Sequence, residues 1–218
     1  MARKLKRKDR SHHDEAERTR HGPAMSPPPQ TLPLRDRIAA GHALAKHMPL
    51  KDHSIWRSSL RQHDPMDLLI DSSKGRIEHL IPIRFGRMLS NPFAFFRGSA
   101  EIMAADLSLT PTTGLHVQAC GDCHAVNFGG FATPERRIVF DINDFDETSQ
   151  APWEWDVKRL VASYALIGRY RNFSREDTRE CAWRAARAYR KRMARYAEMP
   201  ILEAWYDSFD LEELLEAS

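Results

Sequence analysis

Hydrophobic positions along the chain are spaced for helices almost throughout, and strand-like alternation appears only on either side of one polar loop. Between Leu34 and Lys46 the apolar residues Leu34, Ile38 and Ala45 keep a loose helical period. Leu68, Leu69, Ile77, Leu80 and Ile81 then predict short helices interrupted at Pro65, Gly75 and Pro82. Ser90-Asn91-Pro92 reads as a helix start, and Ile102, Met103 and Leu107 continue an apolar face until Pro111 stops it. Leu115 to Ala119 alternates like a strand. Arg137 to Asp141 reads as its partner, with Gly129, Gly130 and Pro134 in the connection.

Helical spacing returns after Pro152. Val157, Leu160, Val161, Tyr164 and Ile167 predict a helix from about Trp153 to Tyr170. Ser174 with Asp177 forms a capping box for a second amphipathic helix, traced by Ala182, Ala186, Tyr189, Met193 and Tyr196 and ended by Pro200. Leu211 to Ser218 has the pattern of a helix cut short. Residues 1 to 32 have too few large apolar groups to offset ordering entropy, so they read as a mobile, basic and proline-rich tail ahead of a single domain over 33–218.

At 218 residues and 42% hydrophobic content the chain can build a packed core. Its 33 basic and 30 acidic residues give a net charge of only +3, which provides no whole-surface attraction to nucleic acid or membrane. The asymmetry is local: residues 1–30 carry eight Lys/Arg against four Asp/Glu, and residues 201–218 carry six acids and no base. Three cysteines, Cys120, Cys123 and Cys181, cannot form a framework of several disulfides. The basic N-terminus is followed by no apolar run, and no stretch is long enough to span a bilayer. A cytoplasmic protein without membrane or specific nucleic-acid partners is the expectation.

Candidate chemistry is concentrated in Gly121-Asp122-Cys123-His124-Ala125-Val126-Asn127 and in Asp141-Ile142-Asn143-Asp144-Phe145-Asp146-Glu147. A carboxylate that takes or orients a hydroxyl proton, together with an amide and a second carboxylate that hold Mg²⁺, are the parts phosphoryl transfer needs from a protein. The spacing lets Asp122 and Asn127 turn toward one point. The strand ending at Asp141 can deliver Asp144 to that point, with Asp141 as a reserve ligand. His124 can orient the loop. Arg84, Arg87 and Arg97 lie among apolar residues where an unpaired guanidinium is costly; their alternatives are ion pairs with Glu101, Asp106 or the acidic loop, or contacts to substrate phosphate.

The first run resembles the Gly-Asp-x-His-x-x-Asn signature of aminoglycoside and choline phosphotransferases, and Asp144-Phe145-Asp146 resembles their magnesium-binding element. The resemblance implies a mostly helical α+β fold similar to the helical lobe of a protein-kinase-like phosphotransferase, with a short two-stranded element carrying the site. It implies ATP and Mg²⁺ as cofactors, with Asp122 catalytic, Asn127, Asp144 and Asp141 at the metal, and Arg97 and His124 at the nucleotide. A small-molecule or protein hydroxyl would be the acceptor, and Asp156 at the head of a helix would brace the loop. Ile83 to Gly98, Cys120 to Gly129, Asp141 to Glu147 and Pro152 to Leu160 also resemble a bacterial family known as domain of unknown function 2252. Members of that family are about twice as long, which implies a truncated chain here. No Gly-x-Gly-x-x-Gly phosphate loop is present, and a non-catalytic remnant or partner-binding module is the reading this favours. Cys120-x-x-Cys123-His124 also matches a c-type haem attachment pattern and supplies three of the four ligands of a zinc site.

Overall fold

A computed structural model describes residues 33–210; the expected tail over 1–32 and the expected helix over 211–218 lie outside the described residues. Helix α1 (Leu34–His47) leads through two 3₁₀ turns to α2 (Pro65–Asp71), α3 (Ile81–Met88), α4 (Pro92–Arg97) and α5 (Ala100–Leu107). Strands β1 (His116–Ala119), β2 (Phe128–Ala132), β3 (Ile138–Ile142) and β4 (Ser149–Pro152) follow. Two long helices, α6 (Trp153–Tyr170) and α7 (Arg175–Glu198), precede the short α8 (Ile201–Tyr206) and the edge strand β5 (Phe209–Asp210). The architecture is α+β, dominated by helix, with small antiparallel sheets. No helix among the described residues is long and apolar enough to cross a membrane.

The prolines expected to interrupt helices instead begin them. Pro65 opens α2 behind Asp64, whose carboxylate accepts from the Met66 N–H at 2.8 Å, and Pro82 occupies the first turn of α3. The first helical turn has no internal acceptor for its N–H groups, so a residue lacking one costs nothing there. Pro92 opens α4 in the same way, with the Asn91 side chain accepting from Ala94 N–H at 2.8 Å.

The apolar face expected to run on to Pro111 is divided at Gly98 and Ser99 into α4 and α5. Gly98 is pressed against Met88, where an added Cβ would stand 2.6 Å from the Met88 side chain, and its carbonyl accepts from Arg84 at 2.6 Å. The kink lets α3 and α5 close on α2, burying Leu69, Met88 and Ile102 together with parts of Leu68 and Phe85.

Strand pairing differs from the expected one. Val117 on β1 lies opposite Ala151 on β4, not opposite the 137–141 segment. β3 instead forms a hairpin with β2, in register Gly129 to Asp141 and Phe131 to Val139, and β5 adds to its other edge. The two glycines read as connection are therefore strand residues. Thr133 to Arg137 makes the reversal, with Arg136 at φ 65. A neighbouring segment joined by a short turn closes a smaller loop than the distant 115–119 segment, so the local hairpin costs less chain entropy.

Helices α6 and α7 pack as an antiparallel pair. Ser174 accepts from Asp177 N–H at 3.0 Å at the start of α7, and Gly168 allows close approach, its missing Cβ position being 2.8 Å from the Thr178 hydroxyl. Trp153 stacks on Tyr189 at 5.8 Å between ring centres.

Candidate functional site

The 120–127 loop leaves β1 and is suspended from one face of α6. Gly121 has φ +86, a left-handed conformation open to glycine, and an added Cβ there would be driven into the Glu147 carbonyl. At the head of α6, the Asp156 carboxylate accepts from Cys120 N–H at 2.7 Å and Gly121 N–H at 3.1 Å. Three residues on, Arg159 donates from Nε to Asp122 Oδ1 at 2.6 Å, forms an ion pair with the same carboxylate through Nη2, and donates to the Phe96 carbonyl at 2.7 Å. Its guanidinium also lies over the Phe96 ring, 4.2 Å from the centroid. A further turn along, the fully buried Ser163 hydroxyl accepts from Ala125 N–H at 2.9 Å and donates to Leu160 O at 2.6 Å. Residues 156, 159 and 163 fall on one helix face, so α6 holds the loop at three successive points.

Asp122 is a carboxylate held in its charged form. Burial alone would raise its pKa, but hydrogen bonding from His124 and the charge and hydrogen bonds of Arg159 outweigh that and bring it below the usual carboxylate range. His124 is buried, with Nε2 3.4 Å from Asp122 Oδ2 and its ring edge-on to Phe93. Its Nδ1 is buried without a hydrogen-bond partner.

Asn127 ties the loop to the acidic segment. Its Nδ2 donates to the carbonyls of Asp122 at 3.1 Å and Asp144 at 3.0 Å, and its Oδ1 accepts from Asp144 N–H at 3.0 Å. One lone pair of Oδ1 is thereby used. Asp144 Oδ1 accepts from Asp146 N–H at 3.1 Å. Asp141 stands apart, its carboxylate accepting from the Ile142 N–H at 2.8 Å within β3.

Asp122, His124, Asn127 and Asp144 line a cavity of about 560 Å³, which is also walled by Arg84, Arg87 and Arg97 from α3 and α4 with Met88, Ala94 and Gly98. The structure thus brings five of the expected site residues, Arg97, Asp122, His124, Asn127 and Asp144, to one cavity, while Asp156 supports it from behind and Asp141 does not line it. Sequence reading missed Arg159 and Ser163. The available signal was the spacing of polar residues at positions 156, 159 and 163, which puts them on one face of the helix.

Cys120 and Cys123 are both buried and free. Cys120 Sγ lies 3.6 Å from the Asp144 carbonyl, and the Cys120 sulfur together with burial keeps the Cys123 thiol protonated well above its ordinary range. Cys181 is only partly buried. Among the described residues no three His, Cys, Asp or Glu side chains converge to hold a metal ion. The oxygens of Asp144 and Asn127 are nevertheless hard donors of the kind Mg²⁺ combines with water and substrate phosphate.

No curated protein and no solved structure matches the chain. Residues 76–218, which contain the loop, its acidic partner segment, the arginine wall and the whole of α6, match the family described as "Uncharacterized protein conserved in bacteria (DUF2252)", and the chain belongs to that family.

Proposed function

We propose that the chain is a phosphotransferase domain that transfers the terminal phosphate of ATP to a hydroxyl acceptor, in a protein-kinase-like manner. The observation that carries this reading is the grouping of an ionised Asp122 with Asn127 and Asp144 around a single cavity that has room for a phosphorylated ligand.

Asp122 is suited to accept a hydrogen bond from the incoming hydroxyl and aim its oxygen. A carboxylate whose pKa is depressed is a poor base, so orientation is the larger part of its work and full proton removal the smaller. Arg159 and His124 fix the direction in which the carboxylate points. Asn127 couples that aim to the acidic segment, because one amide binds the backbone of both segments. Asp144, with the remaining lone pair of Asn127 Oδ1, would hold Mg²⁺, which would supply neutralisation of phosphate charge there.

Titration calorimetry of the full chain with ATP tests the binding step: the expected result is Mg²⁺-dependent heat at millimolar nucleotide that disappears in Asp144→Ala. Release of phosphate from ATP should fall by at least a hundredfold in Asp122→Ala with nucleotide affinity retained. Absence of heat with and without Mg²⁺, or undiminished turnover in the Asp122 variant, rejects the assignment.

A further inference from the structure

The arginine wall presents more positive charge than the described residues neutralise. Asp106, one of the acids available to it, is taken by Arg61 through bonds of 2.8 and 2.5 Å. Among the described residues Arg84 has one acid within ion-pair reach, Glu101 at 3.9 Å, and it donates from Nη2 to the Gly98 carbonyl, while its Nη1 is buried and unbonded. Arg87 and Arg97 have no ion pair among the described residues. Among the described residues, the Asp122 charge is already matched by Arg159, and Asp144 is the lining carboxylate without a cation. A second orphaned atom, His124 Nδ1, also belongs to a cavity-lining residue.

A buried polar atom without a partner is uncommon in a folded protein and calls for one. Guanidinium groups present planar, paired donors that match the oxygens of a phosphate, whereas an ammonium-bearing ligand would be repelled by three of them. Arg84 and Arg87 are three residues apart on α3 and so share a helix face, and Arg97 closes the group from the end of α4. We infer that Arg84, Arg87 and Arg97 form an anion subsite that takes a terminal phosphate group. The subsite shares its cavity with the proposed reaction but rests on the arginines alone. Its phosphate can come from the nucleotide or from a phosphorylated acceptor.

Calorimetry of the full chain with inorganic phosphate, ribose 5-phosphate, ADP and choline separates these. Phosphate and at least one of the two esters should bind, choline should not, and Arg87→Ala/Arg97→Ala should weaken binding at least tenfold. Both side chains are exposed, so the double variant should fold, and Arg87→Lys/Arg97→Lys should restore part of the affinity. Ribose 5-phosphate binding alongside saturating ADP assigns the subsite to the acceptor; arginine-dependent ADP binding that excludes ribose 5-phosphate assigns it to the nucleotide. No phosphate binding, binding unaffected by the double variant, or tighter binding of choline overturns the inference. Arginine-dependent binding without any phosphoryl transfer keeps the subsite and removes the proposed reaction, whereas transfer that ignores both arginines does the reverse.

Discussion

Replacing Arg159 by methionine isolates the interaction on which the loop depends. Arg159 is 2% exposed, and among the described residues it is the guanidinium paired with Asp122 while it also binds the Phe96 carbonyl. Removing one member of a buried ion pair costs about 3–5 kcal/mol, because the other charge is left desolvated. The Asp122 side chain keeps 21% of its exposure, so solvent screens part of this and the expected loss is about 3 kcal/mol. In the native chain Asp122 has a folded-state pKa below its unfolded value. Its contribution is therefore present above the unfolded carboxylate range and is lost as pH falls through the folded pKa. In the variant Arg159 no longer offsets burial, so the folded pKa rises from its native position, with the His124 hydrogen bond still opposing the rise. The penalty of Arg159→Met should then be largest at neutral pH and shrink toward pH ~4, as the carboxylate takes up a proton. Urea denaturation of the two proteins across that range measures it. Asp122→Asn in the Arg159→Met background should recover at least about 1 kcal/mol at neutral pH, since it removes the uncompensated charge. A loss below about 1 kcal/mol, a penalty independent of pH, or no recovery in the double variant would refute the pairing as the support of the loop.

The other supports of the loop make simpler predictions. Gly121→Ala puts a Cβ at a positive φ and against the Glu147 carbonyl, and should lower stability by about 3 kcal/mol or prevent soluble expression; a melting temperature equal to that of the parent would contradict the close approach. Asp156→Ala leaves the Cys120 and Gly121 N–H groups without their acceptor and should cost about 2–4 kcal/mol, with faster hydrogen exchange at those two amides as the local readout. Asn127→Asp preserves shape but cannot donate to the Asp122 and Asp144 carbonyls. It should therefore cost about 2–3 kcal/mol in urea denaturation, and a neutral effect would show that the amide does not couple the two segments.

The helices around the site were legible because their signals are local. A periodic apolar face between Pro152 and Pro200, interrupted by Ser174 with Asp177 three residues on, is read by the first turn of the helix it starts, and the structure places α6 and α7 there. The proximity of Asp122 and Asn127 was legible for a similar reason, since a separation of 5 residues limits how far apart their backbones can lie, whereas Asp144, 17 residues beyond Asn127, reaches them through the β2–β3 hairpin. Pairing was not. Nothing within Leu115 to Ala119 distinguishes Ser149 to Pro152 from Ile138 to Ile142 as a partner, because each offers the same ladder of backbone groups.

By itself, then, the sequence determined the long helices, the Ser174 cap of α7 and the two polar segments, through forces acting within a few residues. Tertiary structure decided which segments pair, where Gly98 breaks an apolar run to seat Met88, and that Arg159 and Ser163 belong to the site. An arginine or serine in a helix carries the same local signal whether it faces water or a loop. Only the packing of α6 beneath the 120–127 segment excluded water from Arg159, and that exclusion is what makes its partnership with Asp122 strong.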